Sequence, residues 1–459
     1  MFPITHLINI HHIKCFRYLR SYFHYKLQTL TQLISGELLG ATTVKISEEL
    51  ESFPEQLFEL TDTLEYLDLS SNKLTALPDD FNRFKKLKVF FASENRFAIF
   101  PAVLGKCDNL QIIGFKSNLI THIPNDAFHA NLRWLILTNN QISSLPASIG
   151  KCSKLEKLML AGNRLAALPK ELANCSSLAL LRIAANNLNM LPEWLVEMRS
   201  LAWLAFSGNT MINQKVESVA AVNIDQFQLG LLLGEGASGT IFKATSIDTN
   251  NQDEVAIKIF KGSVTSDGFP EDELQAYLAA GHHPSIVKLK SVIDLDDQGK
   301  KGLVMELIPA HFYNLGKPPT LNTCTRDVFD EDFKLSEQQL FEIAISMASV
   351  GAHLHERGIM HGDLYAHNVL VDDTGNTLFG DFGAASRYDI RDLALAFYLE
   401  RIEVKAFGFL LDDLISLFRE NISTHDALCK LRDLCLSKDQ QLRPGFNEIL
   451  SGLTLLSGS

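Results

Sequence analysis

The sequence predicts an α/β solenoid bent into a horseshoe, followed by an α+β domain of two lobes. Two observations carry that prediction. An Asn recurs at positions 72, 95, 118, 140, 163, 186 and 209, each time inside a Leu-rich pattern, so the period is 22 or 23 residues. A unit of that length cannot bury its own apolar face, and neighbouring units must stack. Near residue 227 the period stops. Strand-like runs then alternate with a glycine-rich turn, and a long helical pattern leads into a cluster of His, Asp and Asn.

Composition sets the outer bounds. A chain of 459 residues has room for two or three domains, and 46% hydrophobic residues mark it as globular. A net charge of −12 argues against a nucleic-acid partner. Seven Cys without paired short spacing fit a reduced, cytoplasmic setting. No apolar run is long enough for a transmembrane helix, so none is expected.

Residues 1–39 read as an N-terminal extension. Lys14, Arg17, Arg20 and Lys26 alternate there with aromatic residues, and no acid precedes Glu37. His6, His11, His12 and Lys14 interrupt any signal-peptide core, and residues 1 to about 27 are expected to be a loose tail.

Residues 40–212 form the repeating part. The pattern Leu64-x-x-Leu67-x-Leu69-x-x-Asn72 recurs, and Pro78, Pro101, Pro124, Pro146, Pro169 and Pro192 each stand six residues after a repeat Asn. This resembles the leucine-rich repeat. Each Asn is expected to satisfy backbone groups that the tight turn leaves unpaired. Cys107, Cys152 and Cys175 each fall twelve residues after an Asn, which makes them packed thiols in equivalent slots rather than metal ligands. Strand positions between the core leucines face the concave side. One column is Tyr66, Val89, Ile112, Trp134, Lys157, Leu180 and Trp203; the next is Asp68, Phe91, Gly114, Ile136, Met159, Arg182 and Ala205. Many of these are large and apolar although they should face water, which marks a contact surface. Tyr66, Phe91, Trp134, Ile136, Met159 and Trp203 are expected to bind a protein partner or substrate, with the neighbouring domain as the other candidate to cover them.

Residues 213–226 read as a linker, across which the two parts are expected to be independently stable. In residues 227–455, Gly234-Glu235-Gly236-Ala237-Ser238-Gly239-Thr240-Ile241 follows a strand-like run that ends at Leu233. Lys258 comes nineteen residues after Gly239, within Val255-Ala256-Ile257-Lys258. Further on stand His361-Gly362-Asp363-Leu364-Tyr365-Ala366-His367-Asn368 and Asp381-Phe382-Gly383. The set resembles the eukaryotic-like protein kinases. In combination with the repeats it resembles the soluble leucine-rich-repeat kinases of bacteria.

That resemblance implies roles. Asp363 would accept the proton of an attacking hydroxyl, with Asn368 and Asp381 holding Mg²⁺ against ATP. Lys258 would meet the α and β phosphates and be held by Glu273, with Glu271 as runner-up. Residues Leu233 to Ile241 would close over the phosphates, and Leu370 would line the nucleotide site. Met305 would be the gatekeeper, with Glu306, Leu307 and Ile308 forming the hinge to adenine. Four departures stand out. Gly362 replaces the usual Arg, Tyr365 replaces a Lys that steadies the γ-phosphate, Glu403 replaces an Asp, and no Ala-Pro-Glu follows Asp381. Arg443 resembles the closing Arg of the family, but its Glu partner is absent. The implied activity is serine/threonine protein phosphorylation with ATP and Mg²⁺. A small-molecule kinase of the aminoglycoside or choline type, whose loop His361-Gly362-Asp363-Leu364 also resembles, and an ATP-binding scaffold remain open alternatives.

Overall fold

The structure is a computed structural model and describes residues 27–211, 221–236, 239–247, 253–262, 264–265, 267–295, 301–418 and 423–458. Eight three-residue strands form one parallel sheet in sequence order: β1 (Thr43–Lys45), β2 (Tyr66–Asp68), β3 (Val89–Phe91), β4 (Ile112–Gly114), β5 (Trp134–Ile136), β6 (Lys157–Met159), β7 (Leu180–Arg182) and β8 (Trp203–Ala205). The middle residue of each repeat strand from Leu67 to Leu204 is fully buried, and the flanking residues pair in the two columns read from the sequence. Each repeat Asn bonds as the spacing requires. The Asn95 amide nitrogen donates to the carbonyls of Leu69 and Ala92, and its oxygen accepts from the Leu74 N–H. Pro101, Pro146 and Pro169 precede one-turn 3-10 helices that end at Cys107, Cys152 and Cys175. Burial pushes these thiols up to about 12, which suits packing rather than reactivity.

The second part holds a six-stranded sheet in the order β10-β11-β12-β14-β13-β9. Its strands are β9 (Ala221–Asn223), β10 (Phe227–Glu235), β11 (Gly239–Ser246), β12 (Glu254–Phe260), β13 (Leu289–Asp294) and β14 (Lys301–Glu306). Helix α1 (Pro270–Ala280) precedes β13. Then come β15 (Tyr313–Asn314), α2 (Glu337–His355), β16 (Ile359–Met360), β17 (Val369–Val371), β18 (Thr377–Phe379), β19 (Ser386–Arg387), α3 (Leu393–Leu417), α4 (His425–Cys435) and α5 (Phe446–Ser457). Ser336 caps α2 with a capping box to Gln339, as its position before an apolar helical run predicts.

Three expectations are corrected. The extension is shorter than 1–39, because residues 28–39 pack with the repeats: Gln28 bridges to Ile46, Thr29 caps a short helix Leu30–Ile34, and Leu33 and Leu38 join the repeat core. Residues 1–26 lie outside the described residues. The linker is not linker throughout, because β9 pairs in parallel with β13, and Val222 and Ile224 pack beneath the sheet. Residues 212–220 lie outside the description.

The third correction concerns the concave face. A separate protein and the neighbouring domain were both expected candidates to cover it, and the surface packed against it is the chain's own C-terminal domain. Trp203 is 1% exposed, and it belongs with Leu180 to the apolar core that contains α2 and α3. Met159 packs against that core too. Tyr66 clusters with Val89, Ile112, Phe91, Trp134 and Leu321, the last from the segment after the hinge. Ile136 stays half-buried in its column. In return, Met360, Tyr388, Leu399 and Ile402 belong to the repeat core. The two cores therefore share members, which removes the basis for independent stability.

Candidate active site

Strand β12 carries Lys258 and α1 carries Glu273, and both side chains are buried. The Lys258 Nζ lies 2.6 Å from Glu273 Oε1 and 3.2 Å from Asp381 Oδ1. Glu271, the runner-up, is exposed. Burial works against the charge on Lys258, but the carboxylates of Asp381 and Glu273 outweigh it and raise its pKa. Lys258 in turn holds Asp381 below the usual carboxylate range. Asp381 itself sits at φ 54, a left-handed conformation uncommon for an Asp, and Phe382 anchors it from below. The Phe382 ring is fully buried, 4.2 Å from Tyr277 and 5.0 Å from His361.

The loop from 361 to 368 is fixed from beneath by Glu403 on α3. Its Oε2 accepts from the His361 N–H at 3.0 Å and from His355 Nε2 at 2.8 Å, and its Oε1 accepts from the Gly362 N–H at 2.6 Å. Asn368 donates to Asp363 Oδ2 at 2.8 Å and to the Asp363 carbonyl at 3.0 Å. With its nitrogen committed to Asp363, the Asn368 amide would have its oxygen left for a cation. The neighbouring Lys258 favours the charged form of Asp381, whose side chain is 56% exposed. An oxygen pair of this kind suits a hard cation that keeps several other oxygen ligands.

The remaining expected nucleotide residues are placed by strand register and burial. Gly234 pairs with Ile241 and Glu235 with Thr240 across the hairpin, and the Gly236 N–H donates to the Gly239 carbonyl at 2.9 Å. Ala237 and Ser238 lie outside the described residues. Leu233 is exposed, while Ile241, Leu307, Ile308 and Leu370 are half-buried. Met305 is buried opposite Ala256, and Glu306 stands opposite Val255.

One residue of the site escaped sequence reasoning. Arg182 projects from β7 onto the loop and is 2% exposed. Its Nε donates to Asp267 Oδ1 at 2.8 Å, its Nη1 to the Gly362 carbonyl at 2.8 Å, and its Nη2 to Asp363 Oδ1. Beside it, the Trp203 Nε1–H donates to the Leu364 carbonyl at 3.0 Å. The Trp203 ring stacks on Tyr365 at 4.3 Å with a 5° tilt. The sequence signal was a lone Arg in an otherwise mostly apolar concave column.

The departures in the kinase-like pattern have local causes. Gly362 has φ 73, and a Cβ there would sit 2.5 Å from the Leu204 carbonyl of β8. Any side chain at 362 would therefore push the repeats away. Tyr365 is the platform for Trp203. Arg443, fully buried, donates to the carbonyls of Ser437 at 2.9 Å, Arg401 at 2.8 Å and Arg199 at 3.0 Å in place of a Glu. Arg199 belongs to the repeats, and its carbonyl also accepts from Lys405 Nζ at 2.6 Å. Burial, reinforced by the Arg443 charge, lowers Lys405 to about 7. The repeats thus contact the large helical lobe through the Arg199 carbonyl.

Comparison with known proteins agrees with the fold. Residues 227–401 match the family pattern described as the protein kinase domain. Residues 63–84 and 108–165 match leucine rich repeat patterns. The chain is thus a protein kinase domain joined to N-terminal leucine-rich repeats. It is 29% identical over 168 residues to a serine/threonine-protein kinase, PITSLRE, of Drosophila melanogaster, a match covering 36% of this chain and 16% of that protein. It is 28% identical over 162 residues to the tyrosine-protein kinase receptor TYRO3 of Danio rerio, covering 35% and 18%. A probable serine/threonine-protein kinase of Corynebacterium efficiens is 29% identical over 168 residues, covering 36% and 24%. The chain therefore spans less than a quarter of the length of each of these relatives. Among the described residues, no helix is long and apolar enough to cross a membrane.

Proposed function

We propose that the chain is an ATP-dependent serine/threonine protein kinase. The observation that carries this reading is the triangle of Lys258, Glu273 and Asp381, closed at 2.6 Å and 3.2 Å. An ammonium held between two carboxylates is positioned to exchange one contact for phosphate oxygens. Lys258 would bind the α and β phosphates, and the backbone of residues 234–241 would cover them. Met305, Leu233, Ile241 and Leu370 would line the adenine site, with hinge contacts from the backbone of Glu306 and Ile308 beside Leu307. Asn368 and Asp381 would hold Mg²⁺, which neutralises charge on the phosphates when bound. Asp363, with a quarter of its side chain still open, would orient the acceptor hydroxyl and take its proton. The catalytic relatives are protein kinases, which supports a protein acceptor.

A second reading has one observation in its favour. No Ala-Pro-Glu follows Asp381 to mark the usual platform for a protein substrate, and a small hydroxyl compound would not need that platform. The experiment that separates the readings uses labelled ATP, with wild type beside Asp363→Ala. Label on Ser or Thr of protein in the wild type, and none in the variant, is the expected result. Label on metabolites alone supports the small-molecule reading. Equal label in both proteins removes Asp363 from the chemistry.

A further inference from the structure

The loop that carries Asp363 has no cation of its own to set against it. Gly362 has no side chain, Tyr365 is packed under Trp203, and His367 is held by Asp327 at 2.7 Å. Lys258 is committed to Glu273 and Asp381. The cation that meets Asp363 comes from the repeats. We propose that Arg182 is a positioning residue of the phosphotransfer site, supplied by the seventh strand of the repeat sheet to orient Asp363. This inference rests on the phosphotransfer reading above.

The geometry supports positioning on three counts. All three guanidinium nitrogens are used, on Asp267, on the Gly362 carbonyl and on Asp363, so the planar fork grips the loop backbone and the carboxylate together. Asp363 is then fixed at both oxygens, Oδ1 by Arg182 and Oδ2 by Asn368. A carboxylate gripped at both ends has one rotamer, and a displacement of about 1 Å at a reacting group costs about 100-fold in rate. Second, Arg182 is itself pre-organised. It is buried between Met159 and Ala205 in the sheet register, and its Nε partner Asp267 lies just before α1. Third, the approach is built for closeness, since Gly362 leaves no room between the loop and the Leu204 carbonyl.

A lock on the enzyme would use the same contact to opposite effect. The rest of the site argues against a lock. Lys258, Glu273 and Asp381 are already assembled, the Asn368 bond to Asp363 is intact, and 25% of the Asp363 side chain stays accessible. Each carboxylate oxygen can accept a second hydrogen bond, so an acceptor hydroxyl has a place to dock.

The test uses the full chain as wild type, Arg182→Gln, Arg182→Lys and Asp363→Ala. Steady-state rates are measured on a generic basic protein with ATP varied, and nucleotide affinity is measured separately with a fluorescent ATP analogue. The expected result is a fall in kcat of about 100-fold for Arg182→Gln, with nucleotide affinity within about threefold of wild type. Arg182→Lys, which keeps a charge but loses the fork, should recover at least about tenfold over Gln. A merely structural role would lower kcat and nucleotide affinity together, and that outcome overturns the proposal. So does an Arg182→Gln enzyme as fast as wild type or faster, which identifies a lock. Should the Gln variant fail to fold, the Lys variant decides: a rate at or above wild type overturns the proposal, and a reduced kcat with unchanged affinity supports it. A wild type no faster than Asp363→Ala overturns the phosphotransfer reading itself, and this inference with it.

Discussion

Gly362 shows how one residue records the presence of a distant one. Its φ of 73 and the 2.5 Å gap that a Cβ would leave to the Leu204 carbonyl make glycine the residue that fits. Gly362→Ala is therefore expected to destabilise the chain by about 2–4 kcal/mol, from left-handed strain plus overpacking. Denaturant unfolding checks this, and a loss below about 1 kcal/mol would mean that the repeats do not sit against the loop. Asp272 is the complementary case on α1. Burial first, then the Glu271 carboxylate, raises it from 3.8 to about 6, and its Oδ2 is buried. Gly208 of the repeats, at φ 65, makes this approach possible, since a Cβ there would lie 2.6 Å from that oxygen. A folded-state pKa above the unfolded one stabilises at low pH. That contribution is complete below about pH 4 and is lost as pH rises through about 6. Asp272→Asn should thus stabilise the fold at pH 8 by on the order of 1 kcal/mol, read as a higher melting temperature, and change little at pH 4. Equal effects at both pH values would show that Asp272 is not buried as a charge. At this scale the sequence was readable where partners are local. Asp363 and Asn368 are five apart and bond each other, whereas Arg182 and Asp363 are separated by 181 positions that no local pattern links.

Among the elements, the activation segment is the informative one. The lack of Ala-Pro-Glu after Asp381 was legible; what replaces it was not. Ser386 is fully buried, and its Oγ accepts from the N–H groups of Phe206 at 2.8 Å and Ser207 at 3.1 Å. Tyr388 is bonded to His355 at 2.8 Å, and Tyr398 to Glu197 of the repeats at 3.1 Å. A phosphate on Ser386 would have no space, so basal activity is expected not to need it. Ser386→Ala is not a neutral control, however. It would leave two buried N–H groups unpaired at about 1–3 kcal/mol each. Phosphatase treatment of wild type is the cleaner comparison, and an initial rate reduced tenfold would contradict the expectation. Strand β9 shows the limit from the other side. Three residues carry too little periodicity to announce a strand, and its place is fixed by pairing with β13, about seventy positions later.

For the molecule as a whole, the two regular patterns were legible because each repeats or recurs at short range. Their joining was half-legible. Tyr66, Trp134 and Trp203 in one column announced a contact surface, yet a separate protein and the neighbouring domain satisfy such a column equally well. The structure fills it from within, through Trp203 on Tyr365, Leu321 on the Tyr66 cluster, and Arg443 on the Arg199 carbonyl. The repeats then complete the kinase domain rather than hang beside it. The amides of Phe206 and Ser207 test this most directly, because the acceptor of both is Ser386 Oγ, across the joint. Hydrogen exchange of the segment 203–208 should be as slow as that of the middle strands of the repeat sheet, and should speed up in Ser386→Ala. Exchange at the rate of open loop amides in the wild type, while β4 to β6 stay protected, would contradict the account.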